Sequence, residues 1–225
     1  MFIKKRKITL VYASKYSIAF KKNGRLHLII IIYIAIIAVL SIKPVDRFQW
    51  WLENSVSFIV VLLLVGLYKK YRLTNSSYIC ILILLVLHAI GAHYTYSICP
   101  IGAWMKLYLG FKRNNFDRLV SLVFGLLMAL PVMEVLYHRF RLRYIQACVL
   151  SSSIILSICA IYELIQMLYV VFLSAEQAAV LLGIQGDLWD SQKDMAFGLL
   201  GSVITMGGRI VFKLNNNNKI HIVKK

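Results

Sequence analysis

The chain has 225 residues, of which 60% are hydrophobic and only 16% charged, with nine acidic residues and a formal net charge of +17. Its apolar runs reach membrane-spanning length and its polar surface is too small for a soluble domain, so the composition indicates an integral membrane protein. The positive charge does not indicate nucleic-acid binding, since Lys and Arg lie mostly at the ends of the apolar runs and no basic and aromatic recognition motif is present.

The apolar runs predict an all-α polytopic membrane helix bundle with about six transmembrane helices, because lipid leaves only helices or closed barrels and runs of this length favour helices. A basic N-terminal segment, 1–25, precedes a six-span membrane domain, 26–213, and a basic tail, 214–225, follows it. The first run resembles a signal peptide but lacks a clean cleavage site, so we interpret it as an uncleaved span. The predicted spans are about 26–42, 51–68, 77–97, 117–137, 144–174 and 190–212.

The distribution of basic residues predicts that both termini are cytoplasmic. With six spans and an internal N-terminus, 19 of the 26 Lys and Arg lie on the cytoplasmic side and six on the outer side, as the positive-inside rule requires. The same topology places eight of the nine carboxylates at or toward the outer surface and leaves Glu134 near the cytoplasmic face. The rule accounts for acidic residues in loops, but not for ionisable residues inside spans.

The rule does not explain three residues inside predicted spans: Glu163, about halfway along the fifth, and His88 and His93 in LHAIGAHYTYS of the third. Such groups cost roughly 2.5–3.5 kcal/mol each on insertion scales, so they normally face a polar cavity or a partner. With Asp117, at the outer end of the fourth span, they are the candidate catalytic residues. Two alternatives stay open, since His93 can be an interfacial residue and His88 can simply bond to a neighbouring helix.

The stretch GDLWDSQKDMAFGLLG, 186–201, concentrates Asp187, Asp190 and Asp194 at the start of the last span. Their i, i+3, i+7 spacing places them on one helix face if the helix starts early enough. Clustered aspartate oxygens suit Mg²⁺ or Mn²⁺, so the three are candidate ligands of a divalent cation. Asp187 or Asp190 can instead cap the helix.

The sequence lacks the established metal-binding motifs. HAIGAH does not match HExxH, the aspartates lack the EF-hand pattern, and the four cysteines show no zinc spacing. We expect Gly198 and Gly201 to permit close helix packing rather than to contact a ligand.

Four ordered motifs carry a resemblance to a known family: HAIGAHYTYS, NNFDRLVSLVFGLL, AIYELIQ and GIQGDLWDSQKDM, with KPVDRFQWWLEN fitting as well. Over roughly 27–208 the chain resembles the bacterial inner-membrane family typified by YjdF, a domain of unknown function, and it is more remotely similar to VanZ-like membrane proteins. The resemblance implies a multi-pass protein of the bacterial plasma (inner) membrane and supplies no established reaction. The chain has Ser121 where the family usually has His and Gln166 where close relatives often have Glu, so a family reaction that uses this His would be altered or lost here.

Three functional hypotheses follow from an outward-facing acidic and histidine pocket in the bundle. The first is a metal-dependent enzyme that acts on a lipid-linked or envelope substrate. The second is a transporter or ion relay that uses Glu163 and His88. It predicts polar residues continuing toward Glu134, whereas the cytoplasmic half of the spans is nearly all apolar. The third is a structural or accessory protein whose polar groups only join helices. The lipid bilayer is the expected partner in all three, and the oligomeric state is undetermined.

Overall fold

In the computed structural model, residues 18–174, 177, 185 and 187–222 are described, with side chains described up to residue 215. Within these residues the chain forms helices and no strand, which confirms the predicted all-α fold. The predicted basic segments 1–25 and 214–225 lie partly outside the described residues. A short 3-10 turn, Phe20–Lys22, precedes seven helices: α1 Gly24–Leu40, α2 Arg47–Leu67, α3 Asn75–His93, α4 Pro100–Leu109, α5 Phe116–His138, α6 Tyr144–Val171 and α7 Asp190–Ile222.

Five of these helices are long and apolar enough to cross a membrane, and they make the chain a polytopic helical membrane protein. They are α2, α3, α5, α6 and the Asp190–Asn215 part of α7, whereas α1 has only 17 residues. At 1.5 Å per residue a helix of that length is shorter than the hydrocarbon core of about 30 Å, so it needs adjustment of the bilayer or of its flanks. The count of six spans and the cytoplasmic termini therefore stay predictions.

The start of α2 differs from the predicted span, which began at 51. The Asp46 carboxylate accepts a hydrogen bond from the Gln49 backbone N–H (2.9 Å), and this cap starts the helix at Arg47. As a result, Glu53 lies well inside the helix, where it is only 4% exposed, rather than at its edge.

The end of α3 also differs from the prediction, which continued the span to 97. Thr95 and Tyr96 adopt positive φ angles of 58° and 52°, and the Tyr96 N–H donates to the Gly91 carbonyl at 2.8 Å. Left-handed backbone cannot continue a helix, so α3 ends at His93.

Helix α4 was not predicted from the sequence. Pro100 occupies its first turn, and Gly110, at φ 69°, ends it in the left-handed conformation. Trp104, Leu107 and Tyr108 on this helix are 59%, 76% and 65% exposed. A ten-residue helix with exposed aromatic and aliphatic side chains is typical of an element that lies at the membrane surface.

Helices α5 and α7 pack backbone to backbone and form the most extensive helix pair in the described bundle. A Cβ atom at Gly125 would lie 1.9 Å from the Gly198 carbonyl oxygen, and one at Gly201 would lie 2.3 Å from the Leu122 carbonyl oxygen. This approach needs residues without side chains, as in other membrane helix pairs, and it confirms the packing role expected for Gly198 and Gly201.

The consecutive spanning helices run antiparallel, so the bundle has two chemically different ends. At one end, which we call the basic end, α2, α5 and α7 finish and α3 and α6 begin. There Glu134 accepts hydrogen bonds from the Thr74 N–H (2.8 Å), the Thr74 hydroxyl (3.0 Å) and the Ser77 hydroxyl (2.5 Å), which stabilises the N-terminus of α3. The opposite end, which we call the carboxylate end, carries the other described acidic side chains.

Candidate functional site

The carboxylate end contains a cluster of ion pairs between the starts of α5 and α7. Arg113 pairs with Asp117 and with Asp190, and Arg118 pairs with Asp187. Arg118 also lies 3.5 Å from Asp190. We call Arg113, Arg118, Asp117, Asp187, Asp190 and Lys193 the ion-pair cluster.

The segment before α5 holds Arg113 in place. The Asn114 amide donates to the Cys99 carbonyl (2.9 Å), and its oxygen accepts from the Phe116 N–H (3.1 Å). A Cβ at Gly102 would lie 1.6 Å from that oxygen, so the glycine makes room for the Asn114 side chain. These contacts fix the segment against the first turn of α4 and direct the Arg113 guanidinium between α5 and α7.

Asp187 belongs to the ion pairs and is absent from the group of carboxylates that could share a metal. Lys193 Nζ donates to Asp187 Oδ2 at 2.7 Å, and Asp187 Oδ1 accepts from the Trp189 N–H at 3.1 Å. Helix α7 begins at Asp190, so Asp187 precedes the helix and the predicted i, i+3, i+7 stripe does not form. The alternative that Asp187 stabilises the start of this helix agrees better with these contacts.

The carboxylates that do converge are Asp117, Asp190 and Asp194, each of which offers one oxygen within 4.8 Å of the others. Asp194 Oδ1 is buried and has no hydrogen-bond partner among the described residues. Glu163, on α6, interacts with the Ser191 side chain and with the charges of Asp190 and Asp117. The structure thus brings together four sequence-predicted site residues that come from three helices.

A second polar group, which we call the Glu53 network, adjoins this site. The buried Glu53 carboxylate accepts from the Tyr162 hydroxyl at 2.9 Å and from the Gln49 amide at 3.2 Å. His88 Nε2 lies 3.0 Å from the Glu53 carbonyl oxygen, and its Nδ1 bonds to the Tyr96 hydroxyl. A carbonyl oxygen can only accept, so His88 Nε2 carries a proton and donates it in a hydrogen bond to the Glu53 backbone.

Tyr96 connects the two groups. Burial raises the pKa of its phenol well above the usual value, and the nearby charges of Glu53, Asp117 and Asp194 raise it further. The hydroxyl therefore keeps its proton within its hydrogen bond to His88 Nδ1. A Cβ at Gly91 would lie 2.5 Å from the Tyr96 ring, so the ring reaches His88 only because position 91 is glycine.

His93 does not join either group. Its Nδ1 bonds to the Leu40 carbonyl oxygen at 2.8 Å, and its own carbonyl accepts from the Val45 N–H at 3.0 Å. These bonds join the end of α3 to the end of α1, which agrees with the interfacial alternative for this residue.

Sequence reasoning missed Glu53, Tyr96, Tyr162 and the two arginines as site residues. A signal for Glu53 was present, because Gln49 and Glu53 are one helical turn apart, but it required α2 to begin before Trp50. Arg113 and Arg118 were counted only as topology charges. Their proximity to aspartates 69 and 77 positions away depends on the tertiary fold, and no local pattern indicates it.

The Asp187 ion pairs predict a pH dependence that can be measured. The hydrogen bond from Lys193, aided by those from Trp189 and Arg118, lowers the pKa of Asp187 from 3.8 to about 2. A lowered pKa stabilises the fold above pH 4, and this contribution is lost as the pH falls toward 2. We expect Lys193→Gln to raise the pKa of Asp187 and to reduce the melting temperature difference between pH 5 and pH 2, as followed by thermal unfolding in detergent. The exposed Lys106→Gln is the control, and an equal change in both variants would contradict the assignment.

The fold and the polar groups define a helical multi-pass membrane protein with acidic residues concentrated at one end of the bundle. The chain belongs to the family described as Predicted membrane protein (DUF2238), whose model matches residues 25–213.

Within this family, the chain is similar to the inner membrane protein YjdF of Escherichia coli (strain K12), with 34% identity over 167 residues, which cover 74% of this chain and 79% of that protein. The predicted family and the predicted location as a multi-pass protein of the bacterial inner membrane are thereby confirmed. The remoter similarity to VanZ-like proteins stays a prediction. No solved structure matches the chain.

Proposed function

We propose that this protein binds a divalent cation, Mg²⁺ or Mn²⁺, through Asp117, Asp190 and Asp194, and acts as an enzyme on a lipid-linked or envelope substrate at the outer face of the membrane. The observation that carries the proposal is the convergence of these three carboxylates within 4.8 Å, one of them with a buried oxygen that lacks a partner in the described part of the chain. Hard cations such as Mg²⁺ prefer carboxylate oxygens of this kind.

The charge balance at the site supports a cation. If all groups are ionised, five carboxylates face three basic side chains, which leaves a net charge of −2, and one divalent cation would neutralise it. The groups counted are Asp117, Glu163, Asp187, Asp190 and Asp194 against Arg113, Arg118 and Lys193.

The same residues offer the parts that phosphoryl or acyl chemistry needs. A bound cation would polarise a phosphoryl or carbonyl oxygen of the substrate. Arg113 and Arg118 can bind an anionic substrate group through their planar guanidinium donors. Glu163 and His88, whose Nε2 donates to the Glu53 carbonyl oxygen and whose Nδ1 bonds to the Tyr96 hydroxyl, are the candidate general acid and base. His93 has no place in this proposal, because it bonds to the end of α1.

The test is cation-dependent thermal stabilisation of the detergent-purified protein. A ligand at 100 times its Kd stabilises the folded state by about 2.7 kcal/mol. We expect Mg²⁺ or Mn²⁺ to raise the melting temperature of the wild type and of Asp187→Asn, and to leave that of Asp194→Asn unchanged. Asp187→Asn is a matched control because it removes an acidic charge from the same end of the bundle without removing a proposed ligand. The absence of any shift in the wild type, or its loss in both variants, would overturn the metal site.

A structural or accessory role is the second candidate, and the ion pairs that connect α5 with α7 favour it. It predicts that Asp194→Asn and Glu163→Gln change stability together with any cellular phenotype, whereas the enzyme loses its phenotype while remaining folded. A transport path is disfavoured, since a buried apolar cluster that includes Ala129, Met133, Ile155 and Met206 packs α5, α6 and α7 together in the described bundle.

A further inference from the structure

The basic end contains a groove between the first turn of α6 and the last described turns of α7. It has a volume of about 390 Å³ and is lined by polar and apolar residues, among them Arg143, Tyr144, Gln146, Ile210, Lys213 and Leu214. A second groove of about 650 Å³ shares Tyr144 and Lys213 and continues along α7 past Arg209. None of the residues that line either groove is acidic.

One cation of this groove, Lys213, contacts aromatic rings. Lys213 Nζ lies 3.7 Å from the centre of the Tyr144 ring and 5.8 Å from that of Tyr137. The Tyr144 hydroxyl donates to the Arg209 carbonyl oxygen at 3.4 Å, which connects α6 to α7 at the mouth of the groove. Cation–π contacts orient the ammonium group and leave its N–H donors available for an anion.

The second groove is open along α7 and has an apolar side. It is lined by Ile204 and Phe212, and Gly208 lies between them. A Cβ at Gly208 would meet no atom within 4 Å, in contrast to Gly125, where the neighbouring helix backbone excludes any side chain. Helix packing therefore does not require glycine at position 208. The missing side chain at Gly208 leaves an unfilled cleft beside the basic groove.

From these observations we infer that the α6–α7 grooves bind an anionic phospholipid, with its phosphate at Arg143 and Lys213 and an acyl chain against Ile204, Gly208 and Phe212. A cationic groove alone would suit any anion. Its continuation into an apolar cleft, within the membrane-spanning part of α7, suits a molecule with a charged head and a hydrocarbon tail. The predicted orientation places this end in the cytoplasmic leaflet, where basic grooves between spans meet anionic headgroups.

The test measures lipid binding to the full chain by native mass spectrometry in detergent, with phosphatidylglycerol and phosphatidylcholine of identical acyl chains. Wild type is expected to bind phosphatidylglycerol more tightly than phosphatidylcholine. A contribution of about fivefold per cation predicts that Arg143→Gln/Lys213→Gln weakens phosphatidylglycerol binding about 30-fold. Gly208→Leu fills the cleft without changing charge, and it is expected to weaken binding of both lipids.

The matched control is Lys69→Gln/Lys70→Gln, which removes two exposed charges at the same end but on the loop between α2 and α3. Its phosphatidylglycerol binding is expected to equal that of the wild type. Equal affinity for the two lipids, or an equal loss in the control, would overturn the inference. So would full binding by Gly208→Leu, or competition by inorganic phosphate as effective as that by phosphatidylglycerol, since a free anion would then be the occupant.

Discussion

Replacing Arg113 with alanine is expected to lower the free energy of unfolding by about 3–5 kcal/mol, the usual cost of removing one partner from a buried ion pair. The guanidinium pairs with both Asp117 and Asp190, and its side chain is only 9% exposed. Its loss leaves two carboxylates close together without their main counter-charge. Thermal or SDS-induced unfolding of the purified protein measures the effect.

Lys112→Ala is the matched control, because Lys112 is a neighbouring basic residue that is exposed to solvent. It should change stability by less than about 0.5 kcal/mol. A second measurement separates charge from packing: Arg113→Ala/Asp190→Asn should recover part of the lost stability, since it also removes one of the carboxylates left unpaired. If Arg113→Ala and Lys112→Ala were equally stable, the ion-pair cluster would not contribute to the fold.

The second large effect is expected at the contact between α5 and α7, where Gly125→Ala should destabilise the protein by about 3 kcal/mol. The added Cβ would lie 1.9 Å from the Gly198 carbonyl oxygen and 2.8 Å from the Ser202 backbone nitrogen, so the two helices must separate. The same experiments measure this loss. The substitution should also disturb the site, because Asp117 and Asp190 belong to these two helices.

Gly66→Ala provides the comparison for this substitution. Gly66 lies inside α2, and a Cβ there would meet no atom within 4 Å. Alanine has the higher helix propensity, by about 1 kcal/mol, so this variant should be as stable as the wild type or more stable. Equal stability of Gly125→Ala and Gly66→Ala would show that the close backbone contact does not form.

The sequence was sufficient to predict the long helices and insufficient to predict which of their faces meet. Lipid leaves an apolar run of 20 residues few options besides a helix, so α3, α5, α6 and α7 follow from hydropathy. Helix α4 was missed because ten residues are too short for that argument. The end of α3 before Tyr96 was missed because no sequence pattern predicts two successive left-handed residues that are not glycine.

Part of the candidate site could also be predicted. A carboxylate inside or beside an apolar run is recognisable from the sequence, and the bilayer makes such a charge energetically costly. This argument identified Asp117, Glu163, Asp190 and Asp194. The separation of Asp187 from the others was not visible, because it depends on where α7 starts and on the positions of Lys193 and Arg118. The role of Glu53 was missed because the start of α2 was predicted one helical turn too late.

The attachment of α4 has a mechanical consequence. Asn114 locks the first turn of α4, at Gly102 and Cys99, to the segment that carries Arg113. Exposed Trp and Tyr side chains favour the headgroup layer, so we expect Trp104 and Tyr108 to let the bilayer set the depth of α4. A thinner or thicker bilayer would raise or lower α4 relative to the glycine-packed α5–α7 pair. Arg113 would move with it, so lipid thickness would adjust how closely this arginine approaches Asp190.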